Sequence, residues 1–297
     1  MKNLIIGCYT DYNWEQIKYW ADSIDRSGYQ GDKAMIVFNS DFNTVQKLLD
    51  RKFDIYAFNR DDANQQFTYA TNFSVVVQRF FHLWQYLENL PPTRQYKNII
   101  ATDVKDVVFQ TDPSKWLDKN LGSKKIVVSS ESLTYNHEPW GDNNMSLSFP
   151  MVHQWMKNKT IWNCGVLAGN TDVIKDLFLN IYLTSRGAPA HVPGGGGPDQ
   201  AALNILLNTE PYKRITKFVG SEDGWACQAG TTADPTKIDG FRANLLDPEP
   251  LWDGEYSTTS KGKRHAILHQ WDRVPEWKKA IEEEHRHREE LSVIIGI

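Results

Sequence analysis

The chain has 297 residues, of which 40% are hydrophobic and 24% charged, and its net charge is -4. This length fits one large α/β domain or two small ones, and it is ample for a sizeable core. The slightly acidic balance argues against nucleic-acid binding through a basic surface.

Three widely spaced cysteines, Cys8, Cys164 and Cys227, occur in the chain. Their odd number and the lack of a CxxC pair argue against a disulfide framework or a zinc knuckle and favour a reducing compartment. The apolar run at residues 4–6 is too short for a signal peptide or a membrane span. We therefore expect a cytoplasmic protein without a transmembrane segment.

The first half of the chain alternates predicted strands and helices. Strands are predicted at 4–8, 34–38, 53–58 and 97–102, and helices at 13–27, 42–51 and 73–90. Gly28 ends the first helix, and Pro91-Pro92 stops the third. This order predicts a mostly parallel sheet with helices on both faces and right-handed crossovers.

The second half is less regular. Short strands are predicted at 125–129, 162–168 and 266–269, and helices at 172–183 and from Asp112-Pro113, Pro198 and Pro275 onward. Residues 132–160 form a polar and aromatic stretch with weak periodicity. Residues 220–262 are rich in Gly, Pro, Asp and Thr, which is typical of a binding loop or lid.

Two carboxylates, Asp103 and Asp106, follow the apolar strand at 97–102. Ligands of open α/β sheets bind at the carboxyl ends of strands, where two carboxylates can hold a hard divalent cation that binds a diphosphate. A solvated turn or a helix cap is the other interpretation of this pair. His269 ends another short apolar strand, and together the three side chains predict a mixed N/O site for Mn²⁺ or Mg²⁺.

Four segments in order resemble motifs of GT-A glycosyltransferases, and together they span roughly residues 1–275. The Asp103-x-x-Asp106 segment resembles the DxD region, most closely its variant in a bacterial and viral group. His269 lies where glycogenin-like and lipopolysaccharide galactosyltransferase-like enzymes place a metal-binding histidine. The segments are Asp103-Val-Lys-Asp106-Val-Val-Phe with Gln110-Thr-Asp-Pro113, Asn163-Cys-Gly165-Val, Pro198-Asp199-Gln200-Ala-Ala-Leu-Asn204, and His269 itself.

The resemblance implies a GT-A, Rossmann-like fold with a mostly parallel central sheet, helices on both faces and an irregular C-terminal acceptor-side region. One domain would cover 1–275, with a nucleotide-binding half at 1–130 and an acceptor-binding half at 131–275, followed by a helix and tail at 276–297. The activity implied is metal-dependent transfer of a sugar from a UDP- or GDP-sugar to a glycan, lipid-linked or protein acceptor, without nucleic acid as a partner.

The resemblance also assigns roles to single residues. The wider spacing leaves Asp106 either as the second metal ligand or as a brace for the loop, so Asp103 is the stronger metal candidate. Donor contacts would come from Tyr9, Thr10, Asp11, Arg79, Asp103, Lys105, Asn163 and Gly165, and catalytic carboxylates from Asp199 and Glu131. Purely structural alternatives are a β–α turn at 9–11 with Asp or Asn capping the helix, a solvated Arg79, and a helix-terminal Asp199.

Two rival functions remain open at this point. A sugar-1-phosphate nucleotidyltransferase has a related fold, but it usually carries a glycine-rich loop where this chain reads Gly7-Cys8-Tyr9-Thr10-Asp11. A non-catalytic carbohydrate-binding protein with the same fold is the second rival. The glycines at 194–197 are followed by no GK[ST] sequence, so a hinge or an acceptor loop is a better interpretation than a phosphate-binding loop.

Overall fold

A computed structural model of the chain describes residues 1–189 and 196–295. Its strands are β1 Lys2–Tyr9, β2 Asp32–Val37, β3 Ser40–Asp41, β4 Phe53–Ala57, β5 Asn59–Asp61, β6 Gln66–Thr68, β7 Tyr96–Thr102, β8 Val107–Phe109, β9 Ile126–Thr134, β10 Thr160–Asn170, β11 Thr216–Val219, β12 Ala226–Gln228, β13 Leu251–Trp252, β14 Ser257–Thr258 and β15 Ile267–His269.

The helices of the described residues range from one turn to more than five. They are α1 Trp14–Arg26, α2 Phe42–Asp50, α3 Val75–Glu88, α4 Pro113–Asn120, α5 Pro139–Ser148, α6 Pro150–Met156, α7 Thr171–Ser185, α8 Asp199–Leu207, α9 Tyr212–Ile215, α10 Ala229–Thr232, α11 Ile238–Phe241 and α12 Pro275–Ile295. Among these helices, none combines the length and the apolar character that crossing a bilayer would require.

A seven-stranded sheet in the order β11-β9-β10-β7-β1-β2-β4 forms the centre of the molecule. β10 runs antiparallel to its neighbours β7 and β9, and the other pairs in the sheet are parallel. The mostly parallel sheet predicted from the sequence is therefore confirmed. Its parallel strands bring the carboxyl ends of β1 and β7 to one edge, where ligands of such sheets bind.

Helices cover both faces of this sheet, as predicted. Ile5 of β1 packs on the face covered by α1, α2 and α4, whereas its neighbours Leu4 and Ile6 pack on the face covered by α3, α7 and α8. Alternate residues point to opposite faces of a strand, so a strand buried on both faces must be apolar throughout. This explains the unbroken hydrophobic run near the N-terminus.

Local signals place the first-half elements as predicted, to within about two residues at most ends. Asn13 caps α1 and forms a reciprocal capping box with Gln16. Gly28 follows this helix with a φ of 78°, a left-handed conformation that favours glycine. The two- and three-residue strands β3, β5, β6 and β8 were not predicted, because so short a run shows no periodicity.

The second half departs more from expectation. The stretch at 132–160 contains the end of β9 and two short helices, α5 and α6, both begun by a proline. Residues 220–262 are not one long loop, because they fold into elements of two to four residues, from β12 to β14. Asn170 stands at the start of α7, yet its side chain makes no capping hydrogen bond.

A small sheet of β12, β15 and β8 ties the late part of the chain to the loop after β7. β15 lies between the other two strands. Its antiparallel pairing with β8 places His269 opposite Val107, directly after Asp106. Its parallel pairing with β12 places Gln228 opposite His269.

Candidate active site

A cleft of about 550 Å³ opens at the carboxyl edge of β1 and β7. The predicted site residues that line it are Tyr9, Thr10, Arg79, Asp103, Lys105, Asp106, Glu131, Asn163, Gly165, Asp199 and His269. Among the predicted residues, Asp11 does not line the cleft. The fold thus brings together side chains that are spread over most of the sequence.

Asp103, Asp106 and His269 form one group, called here the acid–histidine cluster. One ligand atom from each lies within 4.8 Å of the others. Nε2 of His269 is 3.6 Å from a carboxylate oxygen of each aspartate, which is too long for a hydrogen bond. Two ligands about 2.1 Å from one cation lie roughly 3.0 to 4.2 Å apart. The two 3.6 Å histidine–carboxylate distances lie in this range, and with the mixed oxygen and nitrogen donors they fit a divalent cation.

Backbone hydrogen bonds hold the loop that carries the two aspartates. The amide of Asp103 donates to the carbonyl of Gly165 at 2.7 Å, which joins the end of β7 to β10. The amide of Gln270 donates to the carbonyl of Asp106 at 2.6 Å, which continues the β8–β15 pairing. The loop is therefore fixed at both ends, and His269 is delivered to it by strand register.

The ring of His269 is oriented from behind by Gln228. The amide nitrogen of Gln228 donates to Oγ of Ser129 at 2.6 Å, so its oxygen is left to accept from Nδ1 of His269 at 2.7 Å. With the proton on Nδ1, the lone pair of Nε2 faces the two carboxylates. A histidine that binds a metal through Nε2 has this tautomer. The histidine is only 2% exposed, so this partner fixes it firmly.

Gly165 is required by the cluster itself. A Cβ atom at this position would lie 2.5 Å from Cε1 of His269 and 2.7 Å from Oδ2 of Asp103. Contacts this short are not tolerated, so any side chain would displace the ring or the carboxylate. Because residue 165 is glycine, the side chains of His269 and Asp103 can lie close to the backbone of β10.

Burial and charge shift the pKa values of the cluster in different directions. Burial alone would raise the pKa of Asp103, but Arg79 and His269 hold it well below its ordinary value. Burial raises the pKa of Asp106, with Asp103 adding to the effect and His269 opposing it. Burial lowers the pKa of His269, but the carboxylates of Asp106 and Asp103 outweigh this and raise it. Two partly buried carboxylates this close need a positive charge between them.

Arg79 on α3 bridges two of the acids. Its Nη1 hydrogen-bonds Oδ1 of Asp103, and its Nη2 donates to Oδ2 of Asp199 at 3.1 Å. The side chain is 16% exposed, so it is not the solvated arginine of the structural alternative. Asp103 therefore offers one oxygen to the guanidinium and the other to the histidine side of the cluster.

Glu131 on β9 and Asp199 at the start of α8 are called here the acid wall, and both are buried. Oε1 of Glu131 accepts from the amide nitrogen of Asn163 at 3.0 Å, and the amide oxygen of Asn163 accepts from the backbone of Gly165 at 2.7 Å. Burial raises the pKa of both wall carboxyls. Each acid of the wall already has a partner within the protein.

The loop after β1 forms the opposite side of the cleft. Tyr9 is buried and its hydroxyl donates to Ser40, whereas Thr10 donates to the carboxylate of Asp11 at 2.6 Å. Asn13, not Asp11, caps the following helix, in line with the structural alternative for this turn. The ring of Tyr12 also lines the cleft, with the ammonium of Lys105 5.8 Å from its centre.

Three residues of the site were not predicted from the sequence: Tyr12 and Trp140, which line the cleft, and Gln228, which contacts His269. Tyr12 directly follows the predicted donor loop, and its position there was a usable signal. No local sequence pattern indicated Gln228, because its contact with the cluster depends on the register of β12 and β15. Of the glycines at 194–197, the first two lie outside the described residues, whereas Gly196 lines the cleft.

Comparisons with solved structures find glycosyltransferases. The galactosyltransferase LgtC, in complex with donor and acceptor sugar analogues, superposes with a TM-score of 0.52 and 12% identity over 94% of this chain and 95% of its own. The bifunctional glycosyltransferase WbbM superposes with a TM-score of 0.52 and 11% identity over 94% of this chain and 49% of its own. The chain therefore spans about half the length of WbbM. Mouse xyloside xylosyltransferase 1 superposes with a TM-score of 0.50 and 12% identity over 90% of this chain and 97% of its own.

No protein-family model matches the chain, and no curated protein matches it in sequence. At these low identities the likeness establishes the architecture, which agrees with the resemblance seen in the four sequence motifs. The chain has the GT-A fold of these glycosyltransferases.

Proposed function

We propose that the protein is a metal-dependent glycosyltransferase that moves a sugar from a UDP- or GDP-sugar to a glycan, lipid-linked or protein acceptor. The observation that carries this proposal is the acid–histidine cluster, which lies in the large cleft at the carboxyl edge of a GT-A sheet. In an α/β sheet this edge is where a nucleotide binds.

Asp103, Asp106 and His269 would hold Mn²⁺ or Mg²⁺. Bound there, the cation would neutralise the charge that grows on the leaving diphosphate. The protein's own contribution is positional, because Gln228 orients the imidazole and Arg79 fixes one oxygen of Asp103. Little reorganisation is then needed when the donor binds.

The acid wall would serve the sugar and the acceptor. Positive character develops at the anomeric carbon during transfer, and a nearby carboxylate such as Asp199 stabilises it. In an inverting reaction, either Asp199 or Glu131 would take the proton of the acceptor hydroxyl. A retaining reaction needs no strong base. We further propose that residues 1–130 bind the nucleotide and 131–275 the acceptor within one domain, with 276–297 as an appended helix and tail.

We favour transfer over the rival functions because of the chain's own residues. The loop from Gly7 to Asp11 lacks the glycine-rich sequence of nucleotidyltransferases. A carbohydrate-binding protein would not need an acid–histidine cluster built around a glycine. A cytoplasmic setting is consistent with Cys8, Cys164 and Cys227, which are all free thiols.

A donor screen tests the proposal. The protein is incubated with UDP- and GDP-sugars in the presence of Mn²⁺, Mg²⁺ or EDTA, and released nucleotides are separated by chromatography. We expect slow, cation-dependent release of a nucleoside diphosphate from one donor. Unchanged release in EDTA would remove the metal from the proposal. Pyrophosphate release from a nucleoside triphosphate and a sugar phosphate would establish the nucleotidyltransferase instead.

A further inference from the structure

The short helices α5 and α6 carry an unusual concentration of exposed apolar side chains. In the part of the chain that the structure describes, ten large hydrophobic side chains are exposed, and four of them fall between residues 140 and 155. They are Trp140 at 38%, Leu147 at 41%, Met151 at 94% and Trp155 at 45% exposed. Single exposed apolar residues are normal in soluble proteins, but a local group of this kind marks an interaction surface.

Each of the two helices also carries a methionine that is buried in the core. Met145 and Met156 are fully buried, in a cluster with Tyr135 and Ile161. On α6, Met151 and Trp155 are four residues apart and so lie on one side of the helix. The helical hairpin of α5 and α6 is therefore anchored by its buried side chains, while Leu147, Met151 and Trp155 remain exposed to solvent. We call this outer face, formed by Leu147, Met151 and Trp155, the hairpin surface.

Two lysines flank the hairpin surface. The ammonium of Lys159 lies 5.7 Å from the centre of the Trp155 ring, and Lys157 directly follows α6. Within residues 1–189 and 196–295, neither lysine is seen to form an ion pair. Their charge is therefore available to an external anion, although the chain as a whole is acidic. At physiological ionic strength a surface charge acts over about 8 Å, and Asp142 of α5 is already paired with His153 of α6 at 2.7 Å.

We propose that the hairpin surface docks on an anionic lipid bilayer. Exposed tryptophan, methionine and leucine side chains on two adjacent short helices, bordered by lysines, have the chemistry of an interfacial membrane anchor. A second copy of the chain fits less well, because a twofold contact would bring the lysines of one patch against those of the other. The proposal does not depend on the catalytic assignment.

The position of the surface gives it a consequence for the substrate. Trp140, at the start of α5, lines the cleft, and its ring lies 3.2 Å from the position a Cβ of Gly196 would take. The same helical hairpin therefore borders both the cleft and the hairpin surface. Docked on a bilayer, it would bring the acid wall toward acceptors held in the membrane. If the proposed transferase activity holds, the acceptor class that this favours is lipid-linked.

Vesicle binding by the full chain tests the proposal. Co-sedimentation is measured with phosphatidylcholine vesicles with and without phosphatidylglycerol. We expect binding to the anionic vesicles, weakened about tenfold in Met151→Ser through the loss of its apolar contact. Lys157→Gln should weaken it about fivefold at low salt. Leu49→Ser, which removes a 46%-exposed leucine from α2, is the matched control and should bind like the parent.

Each outcome decides the proposal. Absence of binding to anionic vesicles, or equal losses in Met151→Ser and Leu49→Ser, would overturn it. So would a parent chain that is dimeric by sedimentation equilibrium and becomes monomeric in Met151→Ser, because the hairpin surface would then be a protein interface. Met151 is almost fully exposed, so we expect its variant to keep the parental melting temperature and donor hydrolysis. A negative vesicle result thus leaves the donor screen unaffected, and the reverse is also true.

Discussion

The acid–histidine cluster and the acid wall border one cleft, yet they are built differently. In the wall, Glu131 is bonded to Asn163 and Asp199 to Arg79, so each acid has a partner from the protein. In the cluster, Asp103 also contacts Arg79, but Asp103 and Asp106 each turn an oxygen toward Nε2 of His269 at 3.6 Å, which is beyond hydrogen-bond reach. The wall carboxylates are held by their protein partners, whereas the cluster brings carboxylate and imidazole atoms together at a spacing that suits a cation. Variants that perturb one region without the other can separate the two roles.

The largest effect is expected from Asp103→Asn, because Asp103 belongs to the cluster and also contacts Arg79. Asparagine keeps an oxygen for the guanidinium but loses the charge that a cation needs. We expect donor turnover to fall by about 10³-fold, the scale of losing a main electrostatic contact in an active site. Asp118→Asn, which removes a surface partner of Lys97, is the control and should have no effect. Turnover near the parental level in Asp103→Asn would contradict the role of the cluster.

Gly165→Ala perturbs the cluster through space alone. The added methyl would clash with His269 and Asp103, so we expect the affinity for Mn²⁺, measured by isothermal titration without nucleotide, to fall roughly 10- to 100-fold. Gly240→Ala is the matched control, since a Cβ there meets nothing within 4 Å. If both variants bind Mn²⁺ like the parent, the close packing at Gly165 has no part in cation binding.

Gln228→Leu tests the cluster from behind. Without its amide oxygen the imidazole loses the acceptor that sets its tautomer, and we expect about a tenfold loss of Mn²⁺ affinity. Gln110→Leu also removes a buried glutamine, whose hydrogen bonds go to Ser257 and His265. It should lower stability and leave the affinity unchanged. Equal affinity losses in the two variants would mean that the effect is one of stability.

The smallest of these effects is a change in thermal stability, expected from Glu131→Gln in the wall. Burial raises the pKa of Glu131 in the folded chain, so the folded state holds the proton more tightly than the unfolded chain. The stability this gives is present at acid pH and is lost as the pH rises through the folded pKa. Glutamine does not titrate, so the variant does not lose this stability. Above neutral pH its Tm should be about 2 °C higher than that of the parent, and near pH 4 the two Tm values should converge. A constant difference across pH would show that Glu131 does not titrate in this way.

The sequence predicted the framework of this site better than its fine geometry. Strands such as β1 and β7 are long, apolar and bounded by clear signals, and the Asp103–Asp106 pair stands directly after one of them. Helices α5 and α6 were missed because each is short and partly exposed, so their apolar residues follow no clear period. The contacts of Arg79 with Asp103 and Asp199 join residues far apart in sequence, and no local pattern encodes them.

The late position of β15 sets an order for assembly of the protein. This strand lies between β8 and β12, which are both made earlier, so a nascent chain that ends before Ile267 leaves two strand edges unpaired. Such a chain would contain both aspartates and still lack the imidazole beside them. Tight cation capture would thus report that synthesis has passed the last strand, and chains truncated before it would be aggregation-prone as well as inactive.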